Sequence, residues 1–155
     1  MGCADPPPEN SELFQAVFLT EEKVFRGLSL GVSLDSVRTQ EQGAPRHEDL
    51  LGLAYAYPLP DSQQLFVEYY TPPSESGQPQ DAVQAIVANV VIRDPLRTAA
   101  LYQEIQEHFR QKYGLSLGNY GNDRWEGEIR QGPIEVFLHL NGPRQGLTLN
   151  FIMKK

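Results

Sequence analysis

From Trp125 to Met153 the chain writes one pattern three times: an apolar side chain at every second position, interrupted by turn residues. Trp125, Gly127 and Ile129 run into Gly132-Pro133. Ile134, Val136, Leu138 and Leu140 run into Asn141-Gly142-Pro143, and Leu147, Leu149, Phe151 and Met153 complete the set. A period of two places such residues on one face of a pleated strand. Three strands joined by short turns predict an antiparallel meander, apolar on one face and polar on the other. The apolar face of such a sheet needs a cover, and the rest of the chain must supply it.

The preceding segment does so. Asp94-Pro95 predicts a helix start, because the carboxylate accepts from a free backbone N–H and proline at the first helical position sacrifices no bond. Leu101, Ile105 and Phe109, joined by Leu96 and Tyr113, form an apolar stripe, while Gln103, Glu104, Glu107 and Arg110 face water and Gly114 ends the helix. Upstream, 51–57, 65–70 and 84–93 read as three more strands, with a proline- and serine-rich loop over 72–81. Helical spacing recurs over 34–42 and over 11–18. The expected fold is α+β. An antiparallel sheet of about six strands carries two helices on one face, in the order helix, three strands, helix, three strands, which is compatible with an internal repeat. Residues 12–155 form a single globular domain behind a flexible, proline-rich tether over 1–11.

The helix over 34–42 starts from Leu28-Ser-Leu-Gly-Val-Ser-Leu-Asp-Ser-Val37. Gly31 can take a backbone conformation that a side chain disfavours, and Ser33 is placed to cap the helix. Val32 and Val37 sit where two apolar side chains staple a helix N-terminus. The run Gly31-Val-Ser-Leu-Asp-Ser-Val-Arg38, followed by Gly43-Ala-Pro45, resembles the Gly-Met-Thr…Val-Arg…Leu-Gly-x-Pro motif of small outer-membrane assembly lipoproteins and of beta-lactamase-inhibitor-protein-like domains. Here the spacing from Val37 to Gly43 is one residue longer, and Gln42 stands where the motif has leucine. The resemblance implies a helix on an antiparallel sheet, a place in the bacterial envelope, and binding of other proteins rather than catalysis.

A formal charge of -7, from 20 acidic and 13 scattered basic residues, excludes the basic face that nucleic-acid binders show. The single cysteine, Cys3, permits no internal disulfide and no thiolate metal cluster. It precedes Ala4-Asp5-Pro6-Pro7-Pro8-Glu9-Asn10, an extended spacer, and so resembles the lipid-bearing first residue of a bacterial lipoprotein. That makes Cys3 the expected lipid attachment site and the lipid the only membrane contact. The expected location is periplasmic or outer-membrane-anchored, with the cytoplasm as the alternative.

No catalytic constellation stands out. His47, His108 and His139 fit no metal-ligand spacing, and the pair Glu48-Asp49 beside His47 offers too few oxygens for a hard cation. No serine occupies a nucleophile elbow. Asp123 and Glu126 could act as an acid-base pair only if they converge. No cofactor is predicted. Aromatic residues give the one binding hint: Tyr55, Tyr57, Phe66, Tyr69, Tyr70, Tyr120 and Trp125 exceed what one core face needs, the 65–70 strand carries rings on both sides, and Phe66, Tyr70, Tyr120 and Trp125 are the candidate partner-binding residues. The expected function is a non-enzymatic protein-binding or assembly domain of an envelope lipoprotein. The alternative is a cytosolic acidic chaperone or immunity-type protein that binds one protein partner.

Overall fold

The computed structural model describes residues 11–20, 23–41, 43–71 and 82–154, so Cys3, Gln42 and the 72–81 loop lie outside the described residues. The three C-terminal apolar runs form β5 (Asn122–Ile129), β6 (Gly132–Leu140) and β7 (Leu147–Met153). The upstream runs form β2 (Gly52–Leu59), β3 (Gln63–Tyr70) and β4 (Ala85–Val91). With a further short strand, β1 (His47–Asp49), ahead of them, each meander pairs in sequence order, and the two join through their last strands to give one seven-stranded antiparallel sheet, ordered β1-β2-β3-β4-β7-β6-β5.

The seventh strand, β1 (His47–Asp49), corrects the expectation of about six. It is three residues long and exposed throughout, so it carries no alternation to read. Among the described residues there are three α-helices rather than two: α1 (Glu12–Phe18), α2 (Leu34–Gln40) and α3 (Pro95–Tyr113). The order is therefore two helices and four strands, then one helix and three strands, and the two halves do not match element for element.

Local chemistry sets the helix starts. Ser33 Oγ accepts from Ser36 N–H at 3.2 Å, and Asp94 Oδ1 from Leu96 N–H at 2.9 Å. Gly31, at φ 87°, turns the chain between Leu30 and the cap, and Val32 and Val37 both join the core. Ser11, assigned above to the tether, caps α1 by accepting from Phe14 N–H at 3.1 Å. The helix expected over 34–42 stops at Gln40 because Glu41 turns extended and sends its carboxylate inward.

One face of the sheet holds the core. Tyr55, Val67, Ala88, Leu149 and Leu138 lie side by side across five strands, all buried. Over them α3 lowers Leu101, Tyr102, Ile105 and Phe109, and α1 lowers Phe14, Val17 and Phe18. Phe109 packs edge-on against Trp125 and Phe151, with ring centroids 5.2 and 5.9 Å away. Leu96 was expected in this stripe but is 81% exposed. It precedes Leu101 by five residues, which places it about 140° round the helix from the stripe.

Candidate functional site

The other face carries no core. Its side chains are Ala54, Ala56 and Pro58 on β2, Gln64, Phe66, Glu68 and Tyr70 on β3, and Ala85, Val87, Asn89 and Val91 on β4. Thr148, Asn150 and Ile152 follow on β7, then Pro133, Glu135, Phe137 and His139 on β6 and Asn122, Arg124, Glu126 and Glu128 on β5. All of these are half-buried or exposed. Cross-strand register puts Glu68, Val87, Asn150, Phe137 and Arg124 in one row, and Phe66, Asn89, Thr148, His139 and Asn122 in the next. This is an apolar band of Phe66, Val87, Val91, Phe137 and Ile152, crossed by carboxamides and rimmed by charge. Solvent-facing sheets are ordinarily polar, and a contiguous apolar band on one marks a contact surface.

Phe66 and Tyr70 are brought together here, on one strand and one face. Arg46 lies over the Phe66 ring, 5.1 Å from its centroid, and fixes the ring through the attraction of a cation for an aromatic face. Tyr70 donates its hydroxyl hydrogen to Glu68. That bond and partial burial push the Tyr70 hydroxyl up to about 12. Thr148 ties β7 to β4 by donating to Asn89 Oδ1 at 2.7 Å.

The other two aromatic candidates lie elsewhere. Tyr120 is 59% exposed and packs at a tilt against Tyr102, with ring centroids 4.8 Å apart, beside α3 rather than on the open face. Trp125 is 1% exposed and belongs to the core, so its place among the contact residues is corrected. Its position in the alternation, in phase with Ile129, already carried that signal. Residues missed from sequence include Val87, Val91, Phe137 and Ile152. Each occupies a slot read as polar or ignored, although Ala85-Ile-Val-Ala-Asn-Val-Val91 is apolar at both phases.

The polar clusters under the helices are built to hold segments in place. Asp123, 3% exposed, accepts from the Tyr102 hydroxyl, from Ser116 Oγ at 2.6 Å and from Gln106 Nε2 at 3.2 Å. Tyr102 in turn accepts from Gly121 N–H at 2.7 Å. This fastens the 114–121 connector to α3. Asp123 and Glu126 point to opposite faces of β5, so they form no acid-base pair. Arg26, at the centre of a tight Phe25–Leu28 turn, reaches inward to Glu41.

The histidines are also accounted for. His108 sits edge-on to Phe14 and Phe18, with both centroids at 5.4 Å. His139 pairs with Asn122 Oδ1 at 2.6 Å, and His47 with Asp49 at 2.9 Å. Glu48 turns instead to Arg38, which separates the acidic pair. Among the described residues no group of three or more His, Cys, Asp or Glu side chains is placed to hold a metal ion. No described helix is long and apolar enough to cross a membrane. Compared with protein-family models, with curated proteins and with solved structures, the chain matches none.

Proposed function

We propose that this chain is a non-enzymatic protein-binding or assembly domain of a bacterial envelope lipoprotein, and that it meets its protein partner through the open sheet face around Phe66 and Tyr70. The observation that carries the reading is the apolar band of Phe66, Val87, Val91, Phe137 and Ile152, on a face where no position but Gly52 is fully buried. A band of this width, framed by Arg46, Glu68, Glu135 and Arg124, matches the apolar centre and polar rim of protein interfaces. The place of Cys3 ahead of a proline-rich stretch, and the helix-start motif at Gly31–Arg38, support the envelope assignment.

Two experiments test it. A photo-crosslinking residue at Phe66, or at Phe137, in the native host is expected to trap a discrete partner that the same probe at Tyr120 or Gln103 does not trap. Equal trapping at all four positions overturns the contact face. Metabolic labelling with a lipid probe is expected to mark the native chain and to disappear in Cys3→Ser. An unlabelled native chain favours the cytosolic alternative.

A further inference from the structure

The sheet ends at β5, and its margin is closed over only part of its length. Leu117 N–H donates to Arg124 O at 2.7 Å, Arg124 N–H to Ser116 Oγ at 3.3 Å, and Asn119 and Asn122 exchange bonds at 3.2 and 2.8 Å. The period of two that turns the Arg124 backbone outward turns those of Glu126 and Glu128 outward as well. Their outer N–H and C=O groups have no partner among the described residues, and both residues are exposed. An unpaired strand edge is a template for another strand.

Beside this open half lies a groove of about 660 Å³. Val24, Val32, Tyr113 and Ile129 line it with apolar surface, Lys23, Lys112 and Arg130 bring three cations to it, and Glu126 and Glu128 stand at its margin on β5. Gly127 makes the close packing possible: a Cβ there would stand 2.7 Å from the Tyr113 ring. The Glu126 and Glu128 side chains project to the opposite face, where Lys154 holds Glu126 at 3.1 Å. The two sides of the edge therefore differ: Arg130 stands toward the groove, and the Glu126 and Glu128 carboxylates toward the open face, where Lys154 and Arg124 also lie.

We propose that the open half of β5 receives an extended segment of a partner protein as an added antiparallel strand. Main-chain bonds to Glu126 and Glu128 supply the pairing, and alternate side chains supply the selection. Residues pointing to the groove are apolar, flanked by Asp or Glu that meet Arg130. Residues pointing the other way are Lys or Arg, opposite Glu126 and Glu128. The inference borrows the protein-binding reading only for its class of partner, because the surface is a different one.

The test is selection from a displayed library of random nonapeptides, run in parallel on the full chain and on Glu128→Pro. Proline at this position removes one outward N–H and leaves the β5–β6 ladder intact. Enriched peptides are expected to show the alternation above and, as synthetic peptides, to shift the backbone amides of Glu126 and Glu128. Binding is expected to weaken at least tenfold in Glu128→Pro and in Arg130→Glu, the latter on an exposed turn where the fold does not depend on it. No enrichment on the native chain, or equal enrichment on native and Glu128→Pro chains of unchanged melting temperature, overturns the proposal. If Glu128→Pro melts early, undiminished binding to Arg130→Glu overturns it instead. Peptides that shift Phe66, Val87 and Phe137 rather than the β5 edge also overturn it, and leave the open-face reading standing.

Discussion

Arg26 Nε lies 3.0 Å from Glu41 Oε1, with the two side chains 4% and 0% exposed. Arg26 also donates to the carbonyl oxygens of Ala16 and Val17, at 3.1 and 2.8 Å, and its guanidinium lies over the Tyr57 ring. One cation thus ties the end of α1 to the end of α2. Removing the carboxylate alone leaves a buried charge without its counterion, so Glu41→Ala is expected to cost about 3–5 kcal/mol. The double replacement Arg26→Met with Glu41→Leu is expected to recover most of that loss. Urea unfolding of the three chains checks both.

The tyrosines under the helices set the alkaline limit of the fold. Burial pushes the Tyr113 hydroxyl up to about 12, and burial also raises those of Tyr55 and Tyr69. In the unfolded chain these groups ionise near 10. Between pH 10 and 12 the folded chain therefore binds more protons than the unfolded one, and stability falls as pH rises. The contribution of Tyr113 is complete below about pH 10 and is lost as pH rises through about 12, and those of Tyr55 and Tyr69 are lost in the same direction. The phenolate absorbance that the native chain shows in excess of a Tyr113→Phe chain is expected to rise together with loss of circular dichroism over that window. That excess appearing near pH 10 with the fold intact would contradict the burial.

Gly127 and Tyr113 are coupled through a single contact. Because a Cβ on Gly127 would stand 2.7 Å from the ring, Gly127→Ala is expected to destabilise by about 1–3 kcal/mol. In a Tyr113→Ala background the same change is expected to cost much less, since the obstructing ring is gone. A double-mutant cycle in urea measures the difference.

The aromatic candidates separate by stability. Trp125→Ala opens the core beside Phe109 and is expected to cost about 3–5 kcal/mol. Tyr120→Ala and Tyr70→Ala remove exposed rings and are expected to cost less than about 1 kcal/mol. Melting temperatures rank the three.

Much of the fold was legible because strands and helices bury one face each, and that face is written at a fixed period. The α3 boundaries follow from Asp94, Pro95 and Gly114, and the C-terminal meander from alternation alone. β1 escaped because three exposed residues have no buried phase, and the Leu50-Leu51 link that folds it back on β2 carries no glycine, proline or asparagine to mark a turn. The open face escaped in part for the opposite reason. Val87 and Val91 stand next to Ile86, Val90 and Ile92, and a run apolar at both phases does not say which side is covered. Trp125 was misplaced because the size of its ring outweighed its phase. Arg26 gave no signal at all, since a charged residue beside glycine reads as a surface turn until Glu41, distant in sequence, is found opposite it.

The joining of the two meanders through β4 and β7 bears on how the chain comes to be folded. Ala85 pairs with Ile152 and Val90 with Leu147, so the middle of the sheet is closed by contacts between residues far apart in sequence. As the chain emerges during synthesis, the β2-β3-β4 hairpins can form early but leave the inner edge of β4 bare until β7 arrives. Closing so long a loop makes that step slow relative to hairpin formation. The bare β4 edge, Ala85-Ile-Val-Ala-Asn-Val-Val91, is uncharged and strongly strand-forming. The nascent chain is therefore most prone to mispairing at the strand that ends at the centre of the finished sheet.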